Sequence, residues 1–443
     1  MAFVSVVLMT FAWIAIIYFI CNFCRLVSVK MINTLPGPKA LPLVGSVFYF
    51  LQRNPDEILG SLLKLVRDYS SPFQVWMGNK LFIGIYEPDQ IKTILQNSNC
   101  LDKGVLYKFI EPVLGKASLL TAPDTVIGIK LDSRLDKMSQ FCKLIISCKK
   151  SLSCRFKNIL LYPNFIYNLT GFGREQQKKL NFIYSFVNEM IQQRQYALNK
   201  SNTAETKNKI THRAICDMLL EKSHEENFTQ ESIIHDNVLT MLVGASDTIA
   251  ITMNFVTFML ANFPEIQEKA YKELLEIYGV ETPRSAPVKY EDLQYMDYLD
   301  RVIKETLRLF PVVPVVARQL TEDLRMGEII LPKGADIVVA LGKVLRNKKY
   351  WPNPLEFDPD RFLPERLGNS YSYYMPFSNG PRNCIGMKYA MISMKVILAT
   401  LIRTFVFKVD KSIGINKIKL KFEVLLSPIE PLKVKIERRN FPS

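Results

Sequence analysis

The densest chemistry in the sequence lies in Phe377-Ser-Asn-Gly-Pro-Arg-Asn-Cys-Ile-Gly386, a run of the form F-x-x-G-x-R-x-C-x-G. A cysteine acts as nucleophile or metal ligand only when it is kept as thiolate. Cys384 stands where a helix is about to begin, from Ile385 onward, so the helix dipole and free backbone N–H groups favour its negative charge. Gly380 permits a tight turn, and Gly386 leaves room for a close approach to the backbone. A plain buried cysteine would leave those glycines and Arg382 unexplained. By chance, the five fixed positions would be filled about once in ten thousand chains of this length.

Two further pairs could do work. Glu305-Thr-Leu-Arg308 places an acid and a guanidinium on one helix face, a spacing that alone more often marks a solvated surface pair. Gly244-Ala-Ser-Asp-Thr-Ile249 sets Asp247 beside Thr248 within an apolar stretch, where a carboxylate and a hydroxyl could hold water and pass protons. Such a pair can also simply bend a helix.

The elements that must position these residues are mainly helical. Val238 to Phe263 has Asp247 as its only charge, yet carries Thr240, Ser246, Thr248, Thr252 and Asn254. A central carboxylate is costly in lipid, so the stretch reads as a long helix buried through a globular body and ended by Pro264. The pattern predicts further helices over 176–198, 264–278 and 292–309 and again after Cys384. Short strands are expected near 73–86, 328–340 and 404–426, which makes the class mainly α with small β-sheets.

Residues 1–24 hold no charged side chain, are long enough to span a bilayer, and are followed by Arg25, Lys30 and Lys39. They are expected to form a transmembrane anchor with the rest of the chain in the cytosol. Residues 25–42, with Leu35-Pro-Gly-Pro38 and Pro42, form a basic and Pro-rich hinge, and 43–443 form one large domain without repeats. The eight cysteines make no compact disulfide framework, and the CxxC of Cys21 and Cys24 falls inside the apolar run. His212, His224 and His235 are the only histidines and share one polar stretch, so a zinc site is not expected. The net charge of +15 comes from scattered basic residues without zinc-finger spacing, which excludes nucleic acid as the expected partner. A solvated basic surface and an acidic protein partner both remain open.

The Phe377–Gly386 run resembles the cysteine-loop signature of the cytochrome P-450 family, and the likeness extends over nearly the whole chain. It is similar to the microsomal, insect-like branch related to fatty-acid hydroxylases, notably at Val302–Phe310 and Tyr350-Trp-Pro-Asn-Pro354. The resemblance implies a cytochrome P-450 fold in which Cys384 is the axial ligand of haem b iron, a thiolate that favours O–O cleavage. It places Arg382 and Arg318 (in Val-Ala-Arg-Gln) at the propionates and Phe377 over the thiolate, with Gly380 and Gly386 shaping the loop. Glu305, Arg308 and Arg361 (in Phe357-Asp-Pro-Asp-Arg-Phe362) would be a structural triad holding that loop. Asp247 and Thr248 would be the acid–alcohol pair of oxygen activation, although Ala245 and Ile249 depart from the family pattern. Gly244 would free a carbonyl for Thr248, and no covalent haem link is expected.

One departure is large. After Leu119-Leu-Thr-Ala-Pro123 the family carries a W-x-x-x-R helix, but here Asp124 is followed at once by Thr125-Val-Ile-Gly-Ile-Lys-Leu131, which resembles a later segment. About fifty residues of the family's usual length are missing at this join, the helices around the C–E region. Their loss is expected to expose apolar surface on the central helix and the helix after Cys384, and to weaken the hold on haem.

The resulting expectation is a monooxygenase that inserts one atom of dioxygen into a lipophilic small molecule, whether xenobiotic, fatty acid or other lipid. Electrons would come from NADPH through a flavoprotein reductase, with cytochrome b5 as a further partner, at the endoplasmic reticulum membrane. Leu101–Ala122, the helix face before Asp247, Val313–Val316 and Ser427 are expected to face substrate. The rivals are a non-catalytic relic or splice form with an incomplete haem pocket, and isomerase or lyase chemistry on the same cofactor.

Overall fold

A computed structural model describes residues 35–439 apart from 42–43, 51–56, 79, 111–112, 114–134, 159–160, 202–213, 226–230 and 280–285, together with six residues between 9 and 16. Those six (Met9, Thr10, Ala12, Trp13, Ala15 and Ile16) are helical and exposed. The rest of the expected anchor, residues 25–34 of the hinge and the Asp124/Thr125 join lie outside the described residues.

The numbered helices run α1 (Glu57–Asp68), α2 (Pro88–Gln96), α3 (Leu135–Lys157), α4 (Asn164–Leu169), α5 (Gly171–Ser201), α6 (Ile215–Glu225) and α7 (Glu231–Asn262). They continue as α8 (Pro264–Tyr278), α9 (Asp297–Leu309), α10 (Leu341–Val344), α11 (Pro364–Leu367) and α12 (Met387–Thr404). The strands are β1 (Phe73–Met77), β2 (Lys80–Ile85), β3 (Asp102–Lys103), β4 (Val316–Gln319), β5 (Leu324–Met326), β6 (Ile329–Leu331) and β7 (Asp336–Val339). The C-terminal part adds β8 (Phe405–Lys408), β9 (Leu420–Phe422), β10 (Leu426–Pro428) and β11 (Lys435–Arg438).

Because α7 is apolar on nearly every face, it can be satisfied only in the interior, and α5, α6, α8, α9 and α12 pack around it. Among the described residues, Ser232–Asn262 is the one helix long and apolar enough to cross a membrane. Its place amid those helices agrees with the expectation of a buried central helix. Phe255 of α7 stacks on Phe310 at the end of α9, with ring centroids 4.5 Å apart. Phe255, Leu299, Ile303 and Leu398 belong to the core shared by α7, α8, α9 and α12. A second core, with Ile145, Phe186 and Val238, joins α3, α5 and α7.

The sheet part is small, as expected. One five-stranded sheet has the order β1-β2-β7-β4-β3, antiparallel except for the β2–β7 pair, where Ile83 faces Ile337. This sheet brings Arg318 of β4 opposite Lys103 of β3, so a residue 215 positions away meets the segment that follows β3. The expected helix over 292–309 is divided into a 3-10 turn, Tyr290–Tyr295, and α9. The break has a cause: the Glu273 carboxylate of α8 accepts from the Tyr298 and Leu299 N–H groups and fixes where α9 starts.

Gln267 joins α8 to β8. It is 2% exposed, donates to the carbonyls of Leu260 and Phe407, and accepts from the Phe407 N–H. Replacing it with leucine would leave three buried backbone groups unpaired. We expect Q267L to lose about 2–4 kcal/mol of stability in urea titration; an unchanged midpoint would contradict this packing.

Candidate functional site

The site is assembled by four stretches: the 377–386 loop, β4, the middle of α7, and the buried junction between α9 and residues 345–361. In the loop, the Cys384 N–H donates to the Phe377 carbonyl at 2.9 Å and the Asn383 N–H to the Gly380 carbonyl at 3.1 Å. Gly380 has φ +78°, and a Cβ there would come within 2.0 Å of the Leu95 carbonyl oxygen at the end of α2. Only glycine suits that turn. The following helix starts at Met387 with Gly386 as its N-cap, two residues later than the sequence suggests. Cys384 is therefore half-buried just ahead of the helix N-terminus. Burial pushes its thiol up, and the nearby Gly386 N–H acts in the opposite direction.

Beside the loop lies an unbalanced cluster of positive charge. Arg318 is 5% exposed and donates to the Ala317 carbonyl at 3.0 Å and, from Nη2, to the Arg382 carbonyl at 3.3 Å. Tyr107, in the 3-10 turn Val105–Phe109, lies beside the same guanidinium. Among the described residues no carboxylate pairs with Arg318. Burial lowers its pKa, and the neighbouring Arg382 charge adds to the fall. Arg382 itself is exposed. The 3-10 turn is held in place by Asp336, fully buried in β7, whose Oδ1 accepts from the Val105 N–H at 2.6 Å.

Glu305, Arg308 and Arg361 come together in the interior. Arg308 Nε and Nη2 lie 2.7 and 2.8 Å from the two Glu305 oxygens, and Arg361 Nε lies 3.2 Å from Oε1. The Asp358 N–H also donates to Oε1, at 3.1 Å. Burial pushes the Glu305 carboxyl up, opposed by both arginines and that N–H. The remaining guanidinium N–H groups bond the carbonyls of Leu345, Pro354, Glu356, Pro352 and Asn353. Thus α9 grips the irregular segment that leads toward the cysteine loop.

On α7 the Thr248 hydroxyl donates to the Gly244 carbonyl at 2.6 Å, and Thr252 donates to the Thr248 carbonyl at 2.8 Å. Asp247 points elsewhere, to Lys149 of α3, with Oδ2 and Nζ 2.5 Å apart. Among the described residues, no hydrogen bond links Asp247 or Thr248 to Cys384; α7 and α12 are neighbours through their packing. Lys149 and Tyr107 escaped sequence reasoning because partners 98 residues from Asp247, or about 211 residues from Arg318, leave no local pattern.

Between α7 and α12 runs an open groove of about 560 Å³, lined by residues that include Ala245, Ile249, Met253, Tyr389, Ile397 and Leu401. Ile385, Met387 and Ile397 are 61%, 42% and 41% exposed. These are the two helices on which uncovered apolar surface was expected.

A family model described as Cytochrome P450 matches residues 109–436. The chain is 29% identical to Cytochrome P450 4c21 of Blattella germanica, over 93% of this chain and 94% of that protein. It is 30% identical to Cytochrome P450 4V2 of Mus musculus, over 93% and 91%, and 26% identical to Cytochrome P450 4d1 of Drosophila melanogaster, over 99% of each. The cockroach alignment spans 480 positions, whereas 93% of 443 residues is about 412, so about 68 positions of that relative have no counterpart here.

The triad geometry sets a test. Changing Glu305 to Ala would leave buried Arg308 without a counter-charge and Arg361 with only Glu356, 3.7 Å away, at a cost of about 3–5 kcal/mol. We expect E305A to unfold at markedly lower denaturant and to lose the protected cysteine loop, read as fast Cys384 labelling. Unchanged stability and labelling would show that the triad does not hold the loop.

Proposed function

The chain belongs to the cytochrome P450 family, and we propose that it works as a haem-thiolate monooxygenase on a lipophilic small molecule, drawing electrons from NADPH through a flavoprotein reductase. The observation that carries this reading is the donor set around the loop. It combines a thiol just ahead of a helix N-terminus with a buried guanidinium that no carboxylate among the described residues answers. A soft ligand beside anion-seeking arginines suits an iron macrocycle with carboxylate arms. Cys384 would ligate the haem b iron, with Arg318 and Arg382 at the propionates. When bound, haem supplies the dioxygen activation by which one oxygen atom enters substrate and the other leaves as water.

The chain's own residues have separate duties in this reading. Phe377 accepts the Cys384 N–H and packs against the main core, which closes the loop over the sulfur. The Thr248 hydroxyl donates its hydrogen bond to the Gly244 carbonyl, so its oxygen lone pairs are free to accept from a water. Asp247, with 21% of its side chain exposed, exchanges protons with solvent and passes them to that water. Glu305, Arg308 and Arg361 position the loop and take no part in the reaction.

A reductase would meet the thiolate side, where Arg382 and Lys388 are exposed beside Ile385 and Met387. The net charge of +15 favours an acidic flavoprotein there, with cytochrome b5 as a second acidic donor. Residues 1–24 would anchor the protein in the endoplasmic reticulum membrane, leaving the catalytic domain, residues 43–443, in the cytosol.

The open groove between α7 and α12 favours a second reading, an impaired splice form or relic with an incomplete haem pocket. NADPH consumption separates the two. With reductase and a lipophilic substrate, the wild-type chain should form hydroxylated product. D247N should lower that rate about tenfold or more. T248A should keep consuming NADPH but release more hydrogen peroxide and less product. A wild-type chain without reductase-dependent product would establish the impaired form, and D247N at the wild-type rate would remove Asp247 from the relay.

A further inference from the structure

Strands β8 and β11 form a two-stranded antiparallel sheet in which Lys435 faces Lys408, Ile436 faces Phe407, Glu437 faces Val406 and Arg438 faces Phe405. The Arg439 N–H donates to the Thr404 carbonyl at 3.0 Å. By the alternation of an antiparallel ladder, Glu437 and Lys435 then also bond toward β8. The N–H and C=O groups of Ile436 and Arg438 point the other way.

The two edges of this sheet differ. On the β8 side the Phe407 N–H donates to Gln267 Oε1 at 2.8 Å, and the Phe407 carbonyl accepts from Gln267 Nε2 at 2.9 Å. A side-chain amide of α8 thus stands in for a neighbouring strand. On the β11 side no third strand is present among the described residues, and all of β11 is exposed. An unpaired edge is a template for another chain, which proteins commonly blunt with charges of one sign. Here Lys435 and Glu437 carry both signs, and Ile436 stands between them with 60% of its surface in solvent.

That pattern fits a second copy of itself. When two identical strands pair antiparallel about a two-fold axis, the residue on the axis meets its own counterpart. Lys435, Glu437 or Arg438 in that place would meet a like charge at close range. Ile436 meets an isoleucine, and because its backbone groups face outward the two copies exchange a pair of hydrogen bonds there. The same register sets Lys435 opposite the second copy's Glu437, once on each side of the axis. Lys435 already stands opposite Lys408 in β8, with Asp410 as its ion-pair partner. A further carboxylate on its outer side answers that crowding of positive charge.

We propose that β11 is a self-association edge through which two copies of this chain form a reversible two-fold dimer, with one continuous sheet of order β8-β11-β11-β8 centred on Ile436. A contact through one short strand is small, which places it among weak, transient interfaces. Backbone hydrogen bonds supply the attraction and the Lys435–Glu437 pairs fix the register. The dimer is independent of haem and of the monooxygenase reading.

The test is sedimentation equilibrium of the full chain in density-matched detergent. The wild type should show a concentration-dependent equilibrium between monomer and dimer. K435E and E437K each turn both cross-copy pairs into like charges, and each alone should weaken dimerisation about tenfold or more. Mixed in equal amounts, the two variants regain both pairs between unlike chains, two acids on one strand facing two lysines on the other. The mixture should associate over the wild-type concentration range, which also shows that both variants are folded. A wild type that stays monomeric would leave the edge to a strand of another protein and overturn the proposal. Variants that each dimerise as tightly as the wild type would place the contact elsewhere, in the apolar segment before Arg25 or in the α7–α12 groove, and overturn it too. So would a mixture that fails to associate.

Discussion

A single carboxylate, that of Glu305, lies fully buried between two guanidiniums, and the geometry of the candidate site depends on that arrangement. A lone charge at such a depth would be prohibitively costly, so the acid and both arginines must come in together or not at all. Arg308 and Arg361 spend their other N–H groups on carbonyls between Leu345 and Glu356, a stretch with little regular structure to satisfy them. The result ties α9, one of the best-buried helices, to the chain that runs into the cysteine loop. Tyr374 adds a further tie, donating to the Lys304 carbonyl at 3.1 Å just before the loop begins. Loop position is thereby inherited from the helical core and not from the loop's own few hydrogen bonds.

Some of this was legible in the sequence because it is local. The Phe377–Gly386 spacing encodes a turn that needs Gly380, and φ +78° at that residue is what a glycine between an asparagine and a proline suggests. The continuous apolarity of α7 and the stop at Pro264 located the end of the central helix to within one residue, whereas its start lies seven residues before the expected Val238, in the polar turn at Glu231. Other parts were not legible. The division of 292–309 depends on Glu273, an acid on a different helix, and α9 alone gives no sign of it. The Lys149–Asp247 pair and the Tyr107–Arg318 contact join elements whose proximity only the packed fold supplies. The free edge of β11 is equally silent, since only the pairing with β8 decides which of its residues face out.

The groove between α7 and α12 gives physical meaning to the shortened alignment. About 68 positions of the cockroach relative lack a counterpart here, and α12 with the residue pair before it keeps Ile385, Met387 and Ile397 in solvent. The triad, the cysteine loop and the Arg318 cluster are intact despite this, because α9, β4 and the 345–361 segment hold them from the other side. The described structure thus combines a closed cysteine loop with an open groove between α7 and α12.

The central claim is that Cys384 is poised to bind haem iron as thiolate, and the reduced, carbon-monoxide-bound absorption spectrum of the full chain tests it most directly. A strongly red-shifted Soret band that disappears in Cys384→Ala is the predicted result. An unshifted band, or a chain that takes up no haem, would contradict it and would make the loop a preserved shape without its ligand function.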